Sequence, residues 1–347
     1  MRKSLVAFLS MIMILSAALV GCSSTASNEG DSILDRVKER GYVVVGVNDK
    51  LPGFGYTDSD GTFKGFDIDF AHALAAAIFG DASKVEFRPL SASERFSAVA
   101  SGDVDVLIRN TTWTTSRDTD VGLNFAPTTF YDGQGMMVRK NSGVKSLKDL
   151  DGMTIGVESG TTTELNLTDQ LEALGIKGYK IQTFDNADAV VAAYEAGSID
   201  AWTTDKSGLI SRQSTLSNPN DHKILNDTMS KEPLGPAVIQ GDDKWFDVVK
   251  WVTYATIEAE ELGITSKNID SFLGSDDPVV SRFLGEQDGL GGFLGLPDDF
   301  AVQIIKQVGN YGEIFDRNLG KDSQFKLDRG INALHTDGGL IYSPPFR

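Results

Sequence analysis

Two hydrophobic rhythms alternate along most of this chain. Tyr42-Val43-Val44-Val45-Gly46-Val47 is a short β-branched run followed by turn residues, which predicts a buried strand. Phe66, Phe70, Leu74 and Ile78 then recur every four residues and predict a helix over Phe66–Phe79 with one apolar face. Val85-Glu86-Phe87 predicts a second strand, 96–101 the close of a second helix, and Val104-Asp105-Val106-Leu107-Ile108 a third strand. Strands alternating with helices predict an α/β fold whose mostly parallel sheet is covered on both faces.

The pattern then restarts. Thr154-Ile155-Gly156-Val157 predicts a strand, and 162–174 a helix with Leu167, Leu171 and Leu174 on one side. Ala187, Val190, Val191 and Tyr194 mark another helix, and Ile199-Asp200-Ala201-Trp202 the strand after it. Two local echoes link the halves. Gly46-Val47-Asn48 is matched by Gly156-Val157-Glu158, and Ala100-Ser101-Gly102-Asp103-Val104-Asp105 by Glu195-Ala196-Gly197-Ser198-Ile199-Asp200. In the second pair a glycine ends a helix and a short turn leads into a strand. The shared order predicts two lobes of related topology.

The stretches 125–135 and 231–236 contain Pro and Gly and are expected to cross between the lobes. After the second crossing, Trp245, Val248, Val252, Ala255, Ala259 and Leu262 form a long helical stripe of core residues. Glycine turns and two further helices are expected to pack on the first lobe. The organisation expected is therefore 33–130 as the first part of lobe one, 131–232 as lobe two, and 233–347 as the return to lobe one with a C-terminal extension.

The N-terminus has a different character. Arg2 and Lys3 precede an uncharged apolar run over 5–20, then Leu19-Val20-Gly21-Cys22. A run this short falls below the ~20 apolar residues a bilayer core needs, so 1–21 is expected to be an export signal rather than a membrane helix. Its last four residues resemble a bacterial lipobox, which implies cleavage before Cys22 and lipid on that sulfur. Cys22 is the single cysteine of the chain, so it has no intramolecular disulfide partner. The polar run behind it makes 22–32 a flexible tether. The expected location is the cell envelope, outside the cytoplasm and held to the membrane by the N-terminal lipid.

The whole chain has a formal net charge of −17. Loss of the signal removes only Arg2 and Lys3, leaving an even more acidic chain that makes nucleic acid a poor partner. His72, His222 and His335 have no metal-ligand spacing and are expected at the surface. Neither a phosphate-binding glycine loop nor a nucleophile elbow occurs. No cofactor, metal or catalytic residue is expected.

In open α/β sheets ligands bind beyond the carboxyl ends of the strands. Those ends read Asn48 onward, Arg109-Asn110-Thr111-Thr112, Glu158-Ser159-Gly160-Thr161-Thr162 and Thr203-Thr204-Asp205. Hydroxyls and amides with a few charges suit a small zwitterion. Arg117 could grip a carboxylate with two parallel hydrogen bonds, or pair at the surface with Asp118 or Asp120. The Gly160–Thr162 turn could present free backbone N–H groups to an anion, or be an ordinary threonine N-cap. Asp205 could take an ammonium, or cap the helix that follows it.

Several longer matches then accumulate: Gly65-Phe66-Asp67-Ile68-Asp69, Arg109-Asn110-Thr111-Thr112-Trp113-Thr114, Phe130-Tyr131-Asp132-Gly133-Gln134-Gly135, Ser159-Gly160-Thr161-Thr162-Thr163-Glu164-Leu165-Asn166-Leu167, Lys231-Glu232-Pro233-Leu234-Gly235-Pro236-Ala237, Val308-Gly309-Asn310-Tyr311-Gly312-Glu313-Ile314 and Pro344-Pro345-Phe346-Arg347. They span nearly the whole chain beyond the tether, in order. With them the chain resembles family 3 of the bacterial solute-binding proteins, in its general L-amino-acid-binding branch, which serves ABC transporters. The resemblance implies a two-lobed periplasmic-binding-protein-like (type II) fold with two crossing strands at the hinge. It implies capture of free L-amino acids and delivery to an ABC transporter permease. It also implies a site: Arg117, Thr112 and Thr162 on the ligand carboxylate, Asp205 and the Asn110 backbone on the ammonium, and Asn48, Leu51, Ala92 and Arg95 around the side chain. Many narrower relatives carry an acidic residue where Asn48 stands and an aromatic near Ala92, so these positions point to a broad pocket. The branch often has a disulfide in lobe two, but Gly156 and Ser198 stand in those stretches without cysteines. Arg95 or Arg109 could favour an acidic side chain. The other functions weighed are a dehydratase on the same scaffold, which needs a general acid beside its substrate, and the amino-acid sensor of a signalling receptor.

Overall fold

The computed structural model describes residues 32–347. The export signal, Cys22 and all but the last residue of the tether lie outside the described residues. Among those described, no helix is long and apolar enough to cross a membrane.

Two five-stranded sheets organise the chain. The first runs Val85–Pro89, Val43–Val47, Val106–Leu107, Ala237–Ile239, Leu123–Phe125. The second runs Lys180–Phe184, Thr154–Glu158, Ala201–Asp205, Gln134–Arg139, His222–Ile224. In each sheet the first three strands pair in parallel and the fourth is antiparallel. The registers coincide as well: Gly46 pairs with Leu107 as Gly156 pairs with Trp202. This is the type II, two-lobed arrangement that the resemblance implies.

The central strands of each sheet are buried on both faces, as parallel strands between helices require. Along the first strand Val43, Val45 and Val47 enter the large core under the Phe66–Phe79 helix, while Val44 enters a smaller one with Ala98, Val99 and Leu107. The second sheet alternates likewise, with Met136 and Val138 on one side and Met137 on the other. The C-terminal residues close the large core: Phe346 packs edge-on against Trp251 and Phe283.

The two crossings meet as an antiparallel ribbon, Phe130–Asp132 against Glu232–Leu234. Each crossing strand leads into the antiparallel strand of the sheet it enters. Pro233 sits opposite Tyr131, and its carbonyl turns outward to accept the Trp113 N–H at 2.9 Å. The ribbon needs no N–H at that position, so proline is tolerated there. Tyr131 turns the other way: its N–H and carbonyl meet Oδ1 and Nδ2 of the buried Asn332 at 2.7 and 3.0 Å.

Several expectations are corrected. The strand expected over 199–202 starts at Ala201 and extends to Asp205. Beyond the long helix Asp243–Glu261, four short helices occur where two were expected: Pro278–Phe283, Leu290–Leu294, Phe300–Gln307 and Tyr311–Asn318. Those of five or six residues are too short to display a helical period. His222 is not at the surface; it is buried on a strand, with Nδ1 at 3.0 Å from the Tyr194 hydroxyl.

Candidate functional site

The strand ends of both sheets face each other across a cleft, and its walls touch at several points. Ser211 Oγ donates to the Pro52 carbonyl at 2.6 Å, and the Thr112 and Thr162 hydroxyls lie 3.5 Å apart. Arg109 Nη2 lies 3.9 Å from Glu158 Oε1. Between these contacts is a cavity lined from the first lobe by Asn48, Leu51, Ala92, Arg95, Arg109, Asn110 and Thr112. The second lobe contributes Thr162, Trp202, Thr204, Asp205, Ser207, Gly208 and Arg212, among others. Every proposed contact residue except Arg117 therefore reaches one cavity.

Asp205 shows how the local fold makes a site. It ends a strand and immediately precedes the Lys206–Gln213 helix, yet its side chain makes no capping bond. The carboxylate is buried and left to the cavity. Burial raises its pKa well above the usual carboxylate range, and Asp132 and Glu232 raise it further, against the pull of Arg95 and Arg117. Asp132 is itself pushed up to about 6 by burial, although Ser207 and the Gly133 N–H donate to it.

On the same wall, Thr161 caps the Thr162–Ala173 helix by accepting the Glu164 N–H at 3.3 Å. The capping role thus falls to Thr161, and the next residue, Thr162, lines the cavity without serving as a cap. Asn110 adopts a left-handed backbone with φ of 31°, a conformation uncommon outside glycine. It is held there by Asp67 Oδ2, which accepts its N–H at 2.7 Å, and by Asn48 Nδ2, which donates to its Oδ1 at 3.2 Å.

Arg117 stands one layer behind the wall. Its Nη1 donates to the Thr112 carbonyl at 2.8 Å, and its guanidinium lies 5.0 Å from the centre of the Phe96 ring. Burial lowers its pKa to about 10, while Glu232 and Asp205 act the other way. Arg109 is also committed, donating through Nε to the Leu90 carbonyl at 2.7 Å.

Sequence reasoning missed three residues. Glu232, on the second crossing strand, accepts from the Thr112 hydroxyl at 2.6 Å and the Thr162 hydroxyl at 2.8 Å through Oε2. Its Oε1 accepts from Asn166 Nδ2 at 2.9 Å and from the Ser230 hydroxyl. Asp67 is buried under Asn110, and Arg212 is among the residues lining the cavity. The available signals were an acidic residue before proline in a crossing segment, an aspartate inside an apolar helix start, and an arginine one helical turn after Gly208. Among the described residues no cluster of His, Cys, Asp and Glu could hold a metal ion.

Residues 43–340 match the family model for bacterial extracellular solute-binding proteins, family 3. The chain is similar to the general L-amino acid-binding periplasmic protein AapJ of Rhizobium johnstonii, at 51% identity over 335 residues, 96% of this chain and 97% of that protein. It is similar to the glutamate/glutamine/aspartate/asparagine-binding protein BztA of Rhodobacter capsulatus, at 47% identity over 332 residues, 95% of this chain and 96% of that protein. Among solved structures, an ABC transporter periplasmic binding protein from Brucella ovis with glutathione bound superposes with a TM-score of 0.89 at 48% identity, covering 91% of this chain and 99% of that one.

Proposed function

The chain belongs to family 3 of the bacterial extracellular solute-binding proteins, and on that premise we propose that it captures free L-amino acids outside the cytoplasm and hands them to an ABC transporter permease. The observation that carries this reading is the uncapped, buried Asp205 lining one cavity with Thr112 of the first lobe and Thr162 of the second. An ammonium would restore the charge of Asp205. A carboxylate would meet the two hydroxyls, with the buried charge of Arg117 acting through the wall at Thr112. Asn110 completes the ammonium side, and Asn48, Leu51, Ala92 and Arg95 surround the ligand side chain. Because each lobe supplies part of this set, ligand favours the closed arrangement and shifts the population toward it.

Breadth of ligand is part of the proposal. Ala92, a small side chain, is buried in the wall of the cavity that Asn48 also lines. The relatives that support breadth are the one named for general amino-acid binding and the one named for two acidic amino acids and their amides. Anchoring through lipidated Cys22 belongs to the same reading, as does the division into lobes at 33–130, 131–232 and 233–347. Both relatives are binding proteins rather than enzymes by name, and the reading gives this chain no reaction.

Calorimetry of the amino-acid-free protein against the free L-amino acids tests it. Micromolar binding, about −8 kcal/mol, is expected for several of them. Silence across the whole panel sinks the reading, and chemical turnover of a bound ligand replaces it with an enzyme. Arg117→Ala should stay folded and lose binding; an unchanged affinity removes Arg117 from the site.

A further inference from the structure

Three guanidiniums line the cavity, and they are not equally occupied. Arg109 is satisfied by the Leu90 carbonyl and lies beside Glu158. Arg95 and Arg212 are not. Arg95 is 3% exposed; its Nη2 makes one long contact, 3.4 Å to the Gly160 carbonyl, and its Nε is buried without a partner. Arg212 is 7% exposed; Nη1 is anchored on Asp188 at 2.8 Å, while Nε and Nη2 are buried without partners. Buried donors are almost always paired, and a charged one left unpaired is especially costly. Two such side chains on opposite walls of one cavity therefore call for an anion.

We infer that the cavity holds a second anion subsite, centred on Arg212 and assisted by Arg95 across the cleft, and that the ligands it favours carry a second carboxylate on the side chain. This rests on the amino-acid-binding reading above and names the substrate class within it. The fold sets the order of the groups. Asp205 immediately precedes the Lys206–Gln213 helix, and Ser207, Gly208 and Arg212 of that helix line the cavity. Gly208 and Arg212 are one turn apart and so share a face. Helical side chains lean toward the N-terminus, which is the end of this helix that Asp205 precedes. An ammonium at Asp205 thus places the ligand's side chain along Gly208 toward Arg212. The anchor on Asp188 engages Nη1 and leaves Nε and Nη2 without partners, the fork that donates two parallel hydrogen bonds to a carboxylate. An amide offers that fork one acceptor oxygen and sets its own N–H donors against it.

Matched pairs test the inference on the full chain freed of amino acids. Titration should show L-glutamate binding more tightly than L-glutamine, and L-aspartate more tightly than L-asparagine, by about tenfold or more. Arg212→Gln should lower glutamate affinity far more than glutamine affinity, bringing their ratio to about one. Glutamate γ-methyl ester, titrated against the unaltered protein, removes the charge without a mutation and should bind like glutamine. A wild-type ratio at or below one overturns the inference, as does a ratio unmoved by Arg212→Gln. If Arg212→Gln does not fold, the methyl ester decides alone: an ester as tight as glutamate overturns the inference. The two readings fail differently. If no amino acid binds, the transport reading falls; if amino acids bind without preference for charge, only the second subsite falls.

Discussion

Asp67 is the clearest case of a single residue held at an energetic cost for the sake of the site. Its carboxyl is buried beneath Asn110, whose N–H it accepts, and burial pushes its pKa up to about 7. Below the usual carboxylate pKa both the folded and the unfolded chain hold this proton, so the group is neutral to stability. Between there and about 7 the folded chain holds it and the unfolded chain has lost it, so stability falls as pH rises through that window and then levels off. Asp67→Asn keeps an oxygen acceptor for Asn110 without the ionisation. Melting of both proteins from pH 5 to pH 8 should show Asp67→Asn gaining on the wild type up to about pH 7. A constant difference would mean that Asp67 is ionised throughout. At this scale the sequence was least legible. Asp205 and Thr161 both looked like helix caps, because a cap and a ligand contact need the same local pattern; only the backbone geometry assigns the cap to Thr161 and withholds it from Asp205. Glu232 was invisible as a site residue because Thr112 and Thr162 lie 120 and 70 positions away.

At the scale of elements the pattern was far more legible, since strands and long helices announce themselves by local periodicity. The Phe66–Phe79 helix has the limits its apolar spacing predicts. The glycine echo proved to be a topological one, because Gly46 and Gly156 occupy the same register of their sheets. The two differ in tolerance. A Cβ on Gly156 would lie 2.3 Å from Ile199 Cδ1 and 3.2 Å from Val190 Cγ1, both fully buried. A Cβ on Gly46 would meet Leu90 Cδ1 at 2.7 Å, the end of a half-buried side chain that can swing aside, and the buried Leu107 Cδ1 at 3.1 Å, so its one severe clash is the one that can be relieved. Gly156→Ala should therefore cost about 1–3 kcal/mol, as overpacked cores do, and Gly46→Ala less. Urea unfolding checks this: the Gly156→Ala midpoint should fall further, at an unchanged slope. Equal midpoints would mean that the core around Ile199 yields as easily as Leu90.

For the whole molecule the ribbon between the lobes decides how they move, and it is held from both sides. Asn332 grips the backbone of Tyr131 on one edge, and Trp113 bonds Pro233 on the other. The first-lobe side of the hinge is thus fixed, and opening must be absorbed by contacts reaching lobe two. Glu232 is the centre of those contacts. From the ribbon it holds Thr112 of the first lobe and both Thr162 and Asn166 of the second. A hydrogen bond to a charged group contributes about 1.5–3 kcal/mol. Removing the two that reach lobe two should cost the closed arrangement about 3 kcal/mol or more, a shift of roughly a hundredfold in the ratio of closed to open. The same carboxylate occupies the two hydroxyls assigned to the ligand, so a bound amino acid must share or replace it. Small-angle scattering without amino acid should therefore give a larger radius of gyration for Glu232→Ala than for the wild type. Saturating ligand should bring the two together, because closure then rests on the ligand. Identical curves in the absence of ligand would show that Glu232 does not hold the lobes, and a variant that stays expanded with ligand bound would show that the ligand cannot take over its role.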